Sequence, residues 1–178
     1  MERISEIIKT GQTLPKPCKE VLPAPVTKRS LELKNAFPEV KKFHEAFNFD
    51  NCLKRYQDYN TTERALTSGK IKLNEIALTY NRQAPISLIE FWLINLASYL
   101  GLEPSDQQIR EIAIYLYEDN SFFNITELTL FFKKLKKGNY GEFYGRFDGT
   151  KILTAAKEYR EQRGKLLSSL PEEIQKTV

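Results

Sequence analysis

The stretch ISLIEFWLINLASYL, residues 86–100, is the most apolar segment of the chain and the best guide to its architecture. Its isoleucines, its leucines, Phe91 and Trp92 surround a helix axis almost completely, a distribution typical of a helix in the centre of a core. Pro85 precedes this stretch, and Gly101 is well placed to end a helix as its C′ residue. We therefore predict a central core helix.

The segments around this helix also show helical spacing of apolar residues, almost continuously from residue 31. Two pairs with capping-box spacing predict the starts of the next two helices: Ser105 with Gln108, and Asn124 with Glu127. Asp148 is placed to cap a last long helix, and no stretch of alternating apolar and polar residues rivals these patterns. We predict an all-α fold, with a single compact multi-helix domain at residues 31–170.

Residues 1–30 differ from the rest of the chain. The segment ERISEIIK, residues 2–9, has isoleucines at helical spacing and predicts a short amphipathic helix. Helix cannot continue through the four prolines that follow, Pro15, Pro17, Pro23 and Pro25. Six basic and three acidic residues give this segment a basic balance. We interpret it as an arm, which either lies over the domain as a strap or binds a partner, and residues 171–178 as a tail.

The composition excludes several classes of protein. A chain of 178 residues suits one domain, and no apolar run approaches the ~20 residues that span a bilayer. Two cysteines, Cys18 and Cys52, and one histidine, His44, cannot supply the four ligands of a Cys/His zinc site. None of these three lies in a recognisable catalytic motif. We expect a non-enzymatic protein without cofactor or metal, and the absence of a signal-peptide pattern favours a cytoplasmic location.

Positive charge is concentrated in residues 127–163, which carry nine basic and five acidic residues, whereas residues 31–126 carry ten basic and thirteen acidic residues. Four lysines fill the last turn of a predicted helix: Lys133, Lys134, Lys136 and Lys137. Cations at a helix C-terminus stabilise it by about 0.3–1 kcal/mol each. The alternative is a surface that, together with Arg146, binds phosphates or an acidic protein.

The loop NYGEFYGRFDG, residues 139–149, interleaves glycines with aromatic residues. The glycines at its start and within it are Gly138, Gly141, Gly145 and Gly149, and the aromatic residues are Tyr140, Phe143, Tyr144 and Phe147. The aromatic rings either pack inward and fix the angle between the flanking helices or face outward and stack on unpaired bases. We expect most of them to be inside, with Tyr140 or Tyr144 as the exposed ring, because a hydroxyl tolerates water.

Residues 86–163 resemble an uncharacterised family from phages and mobile elements of gut anaerobes. The shared pattern is K-x-G-x-Y-G-x-x-Y-G-x-x-D followed by an apolar helix that ends in Y-x-x-x-R. The matching residues here are Lys136, Gly138, Tyr140, Gly141, Tyr144, Gly145, Asp148, Tyr159 and Arg163. Tyr159 and Arg163 are four residues apart and therefore share a helix face. The resemblance implies a motif-bearing helix–loop–helix at residues 127–163 in a bacterial host, without implying an activity.

The order of helices is also similar to that of small helical phage helicase loaders of the ATP-independent type, since ATPase motifs are missing. This likeness implies an adaptor in DNA replication, with a replicative helicase as protein partner. Two further hypotheses remain open: a nucleic-acid-binding protein that acts alone through the same residues, and a virion or assembly component that docks through its arm. The sequence does not indicate an oligomeric state.

Overall fold

The structure is a computed structural model that describes residues 27–176, and these residues form an all-α domain, as predicted. The helices are α1 (Lys28–Ala36), α2 (Val40–Ala46), α3 (Phe49–Arg55), α4 (Thr62–Leu66), α5 (Leu73–Thr79), α6 (Gln83–Leu100), α7 (Asp106–Asn120), α8 (Ile125–Lys136), α9 (Gly149–Ser169) and α10 (Glu172–Gln175). Within this part of the chain the only strand-like pairing is one isolated antiparallel bridge, between Lys72 and Asn124.

In the structure, helices extend into both the predicted arm and the predicted tail. Helix α1 begins at Lys28, where the Thr27 hydroxyl accepts a hydrogen bond from the backbone N–H of Ser30, inside the segment assigned to the arm. The short helix α10 lies inside the predicted tail. The predicted helix at residues 2–9 and the proline-rich segment lie outside the described residues.

Helix α6 lies at the centre of the core, as its composition predicted. Trp92 is buried, and its indole N–H donates a hydrogen bond to the Phe47 carbonyl at 3.0 Å. The rings of Phe49 and Phe132 meet the indole edge-to-face, with centroids at 5.4 and 5.5 Å. These contacts join α3 and α8 to α6, and α5 and α7 also pack against it.

One side of α6 is exposed, although apolar residues occur almost all around the helix. Phe91 is 50% exposed and Ile94 is 52% exposed. His44 of α2 meets the edge of this face, with its ring centroid 5.4 Å from that of Phe91, but this contact leaves half of the Phe91 side chain exposed. Apolar composition predicts that a face avoids water but does not show what covers it.

The start of helix α8 is held in place by its N-cap residue, Asn124. The Asn124 side chain accepts hydrogen bonds from the backbone N–H groups of Thr126 and Glu127, and the Glu127 carboxylate accepts one from the Asn124 N–H. This reciprocal pair is the predicted capping box. The Asn124 amide also donates to the Ala65 carbonyl at 2.9 Å, so the start of α8 is held against α4.

Two glycines provide a matched test of the backbone. A Cβ atom at Gly101 or at Gly164 would meet no other atom within 4 Å, but Gly101 has a φ of +66° whereas Gly164 lies inside α9. Gly101→Ala should lower the free energy of unfolding by about 1 kcal/mol, because a side chain disfavours the left-handed conformation. Gly164→Ala should raise it by about 0.5–1 kcal/mol, because alanine loses less entropy in a helix.

Urea unfolding of the two variants and the wild type, followed by circular dichroism, measures both changes. Shifts of the same sign in both variants would contradict the assigned conformations.

Candidate functional site at the end of helix α8 and the following loop

The four lysines at the end of α8 occupy one side of the helix. Phe131, Phe132 and Leu135 are buried on the opposite side. Along the exposed arc, the order set by 100° per residue is Lys136, Lys133, Lys137 and Lys134. The two outer lysines therefore lie closest to neighbouring helices, and the two inner ones face away from the domain.

Lys134 is engaged by the fold. Its ammonium donates a hydrogen bond to the Thr62 hydroxyl of α4 at 3.2 Å and lies 5.2 Å from the ring centroid of Tyr159. Partial burial lowers the pKa of Lys134, and the nearby Glu158 carboxylate opposes this shift. Lys134 is thus a contact between α8, α4 and α9.

Lys136 is engaged on the other side of the arc. Its ammonium donates to Asn95 Oδ1 of α6 at 2.5 Å and lies 4.3 and 4.9 Å from the ring centroids of Phe49 and Tyr99. Burial lowers the pKa of Lys136, with an opposing effect from Asp50. Cation–π contacts of this kind stabilise the folded state, so a second lysine of the predicted patch is structural.

Lys133 and Lys137 remain available for a ligand. Lys137 is exposed and Lys133 is partly exposed. Neither ammonium has a hydrogen bond or an ion pair with another described residue. Of the four lysines predicted to form a patch, two therefore have ammonium groups without a partner among the described residues.

The loop after α8 places three of its four aromatic rings against the domain. Phe147 is buried and its carbonyl accepts a hydrogen bond from Gln108 Nε2 at 2.7 Å, while Phe143 stacks on Phe147 with centroids 6.2 Å apart. Tyr140 packs on Phe131 at 5.9 Å, and burial raises the pKa of its hydroxyl. Loop glycines make this path possible, since Gly138, Gly141 and Gly145 all have positive φ.

Tyr144 is the exposed ring of the loop, at 81% exposure. The Lys151 ammonium lies 5.7 Å from its ring centroid, and the same ammonium donates to the Glu142 carbonyl. The Arg146 side chain is 82% exposed, and its guanidinium lies 3.6 Å from Asp148 Oδ2. The loop thus presents one aromatic ring with two cations beside it.

Lys151 is the residue of this site that sequence reasoning missed. It lies in the first turn of α9, three residues after Asp148, whose carboxylate caps the helix by accepting from the Lys151 N–H at 3.2 Å. The predicted Asp148 cap already implies that Lys151 lies in the first turn of α9, next to the end of the loop. This was the signal in the sequence that could have identified Lys151.

The last two residues of the motif, Tyr159 and Arg163, are both buried on one face of α9. Arg163 Nε donates to Glu127 Oε1 at 2.8 Å, and its guanidinium lies 4.7 Å from the Phe122 ring centroid. Arg163 and Glu127 are among the charged residues counted for residues 127–163, and both are buried in the structure. Burial raises the pKa of Glu127, opposed first by the charge of Arg163 and then by the capping hydrogen bond.

Of the three residues considered for catalysis and metal binding, His44 and Cys52 have structural surroundings, and Cys18 lies outside the described residues. His44 Nε2 lies 2.8 Å from the Ala84 carbonyl, and burial lowers the pKa of His44. Cys52 is buried, and burial raises the pKa of its thiol to about 12. The described part of the chain contains no group of three or more His, Cys, Asp or Glu residues that could hold a metal ion. None of its helices is long and apolar enough to cross a bilayer.

The Glu127–Arg163 pair gives a testable dependence on pH. Arg163→Met should lower the free energy of unfolding at neutral pH by about 3–5 kcal/mol, because it leaves a buried carboxylate without its cation. The loss should shrink as the pH falls towards the ordinary glutamate pKa. Between the ordinary pKa of glutamate and the raised pKa of Glu127 in the folded protein, the native state binds more protons than the unfolded state. The free energy of unfolding therefore falls as the pH rises through this window.

The control is Glu127→Gln/Arg163→Met, in which the glutamine amide can still accept the hydrogen bond from the Asn124 N–H. It should be less destabilised than Arg163→Met and should lack the additional pH dependence. Denaturant unfolding at several pH values measures both effects. Equal losses in the two variants at every pH would show that the pKa of Glu127 is the same in the folded and unfolded states, which would contradict a carboxylate buried without its cation.

Comparison with known proteins identifies the region that contains this site. Searches of curated proteins and of solved structures found no match. Residues 104–173 match a family of unknown function, DUF6633. The matched region spans α7, α8, the glycine–aromatic loop and α9. The candidate site therefore lies within the region of the chain that matches this family of unknown function.

Proposed function

We propose that this protein is a non-enzymatic adaptor that contacts single-stranded nucleic acid through one surface. We define this basic loop surface as Lys133, Lys137, Tyr144, Arg146 and Lys151. The observation that carries the proposal is the exposure of Tyr144 in a loop whose other aromatic rings pack against the domain.

An exposed ring between cations suits a nucleic acid with unpaired bases. Every base has a flat face, so a base can stack on Tyr144 without sequence preference. Arg146 can exchange its ion pair with Asp148 for a phosphate, because an exposed pair of this kind stabilises the protein by only about 0–1 kcal/mol. Lys133 and Lys137 supply two further charges that no described residue neutralises.

The adaptor hypothesis is more specific than nucleic-acid binding. Its specific form is an accessory protein of a phage or mobile element, acting in DNA replication in the cytoplasm of a bacterial host, with a replicative helicase as the second partner. The similarity in helix order to ATP-independent helicase loaders supports this form. The small number of free cations also favours it, since five surface residues support a weak DNA contact that a protein partner would have to reinforce.

A stand-alone nucleic-acid-binding protein is the second candidate, and the exposure of Tyr144 favours it equally. The two candidates differ in affinity. Binding that persists at physiological salt without any partner would support the stand-alone protein, whereas binding confined to low salt supports the adaptor. The virion hypothesis depends on residues 1–30, of which the structure describes only the last four.

Fluorescence anisotropy with a labelled 30-nucleotide single strand across a salt series tests the proposal. Lys133→Gln/Lys137→Gln should weaken binding and reduce the slope of log K against log salt by about 1.4, because each phosphate contact in a single strand contributes about 0.7. Tyr144→Ala should weaken binding by about 1–3 kcal/mol with little change in slope, because stacking releases no counterions.

The matched control is Lys70→Gln/Lys165→Gln, which removes the same charge from two exposed lysines at the opposite end of α8. It should keep the wild-type salt slope. The absence of binding at low salt, or an equal effect of both lysine pairs, would refute a nucleic-acid contact at the basic loop surface.

A further inference from the structure

The uncovered face of α6 forms a second surface, separate from the one proposed above. Phe91 and Ile94 are three residues apart on this face, and both are about half exposed. An open groove of about 590 Å³ borders Phe91 and runs along α2, with Val40 and His44 in its wall. Another of about 490 Å³ borders Ile94 and reaches Leu102. We call the exposed side of α6 that carries Phe91 and Ile94, together with these two grooves, the α6 face.

Residues 1–26 precede the described part of the chain and can reach any side of the domain. A domain of 150 residues has a radius of gyration of about 15 Å. The 17 residues from 10 to 26 can span about 56 Å when extended, because each residue contributes at most about 3.3 Å. The covalent link to the domain therefore gives the segment 2–9 a high effective concentration at the α6 face.

The sequence of residues 2–9 matches this face in character and length. Ile4, Ile7 and Ile8 form one apolar stripe when the segment is helical. Eight helical residues measure about 12 Å, and the uncovered strip from Phe91 to Ser98 measures about 10 Å along α6. A single short helix would thus cover the strip without extending far beyond it.

Charge also favours this occupant. The residues from 10 to 26 include Lys16 and Lys19 but only one acidic residue, Glu20. The grooves beside the α6 face are lined by three carboxylates, those of Glu45, Glu103 and Asp106, against the one ammonium of Lys41. The opposite charges of the tether and of these grooves favour this occupant.

We propose that residues 2–9 dock on the α6 face of the same molecule, with the three isoleucines against Phe91 and Ile94. This arrangement gives the most apolar helix of the chain its missing cover. It is independent of the proposed function, because it uses none of the residues of the basic loop surface.

Paramagnetic relaxation enhancement in the full chain tests this docking. A nitroxide label is attached to Ser5→Cys in a Cys18→Ser background. Cys52 can be kept, because it is buried and burial raises the pKa of its thiol to about 12, so it does not compete for the label. The expected result is selective loss of amide signal intensity at residues 91–98 of α6 relative to the reduced label.

Two double variants, made at residues of similar exposure, separate a specific contact at the α6 face from a general effect of added charge. Phe91→Glu/Ile94→Glu should abolish the effect, whereas Leu31→Glu/Leu78→Glu should preserve it. Leu31 and Leu78 are exposed by 54% and 46% on α1 and α5, so both variants place two charges at already solvated positions. Unchanged amide spectra away from the substitutions confirm that each variant is folded.

A mixed sample of isotope-labelled chains without nitroxide and unlabelled chains with nitroxide separates the two possible sources of the segment. Docking within one molecule leaves the α6 signals of this mixture unchanged, whereas signal loss at the α6 face in the mixture as well would assign the face to a second copy of the chain and overturn the proposal. In the first experiment, signal loss at α1 and α5 instead, or nowhere, would also overturn the proposal.

Discussion

The buried carboxylate of Glu127 is the interaction around which the second half of the domain is arranged. It accepts a hydrogen bond from the Asn124 N–H and faces the guanidinium of Arg163, 36 residues later. This pairing fixes the position of α9 along the axis of α8. In this position Tyr159 packs against Phe131. A buried ion pair often stabilises no more than apolar residues of the same volume would. This pair forms only where α8 and α9 have the alignment seen here, because both side chains are buried and meet at 2.8 Å.

The alignment of α8 and α9 in turn determines the shape of the loop between them. Tyr140 fits between the end of α8 and the side of α9, and Phe147 fits against α7. With both ends of the loop fixed by buried rings, the residues between them have little choice of path. Tyr144 then projects into solvent as a consequence of its neighbours being inside, and Lys151 of α9 lies beside it.

The sequence predicted the features of this fold that depend on near neighbours. Helical spacing, the capping pair Asn124 and Glu127, and the Asp148 cap are all set within a few residues, and each is present in the structure. Partners from distant segments were not predictable. Spacing alone placed Lys134 and Lys136 in a surface patch, whereas Thr62 and Asn95 engage them in the fold. The same reason explains why the burial of Arg163 and the uncovered side of α6 were missed.

The hydrogen bonds at the start of α8 have a consequence for the order in which the chain acquires structure during translation. Asn124 donates to the Ala65 carbonyl, 59 residues earlier, and Leu73 donates from its backbone to the Phe123 carbonyl. At about 5–20 residues per second, the ribosome needs roughly 3–12 s to synthesise the residues between Ala65 and Asn124. During that interval α4 lacks the start of α8, and α5 and the apolar α6 lack it from the moment they are made, so apolar surface of the nascent chain stays exposed until α8 follows.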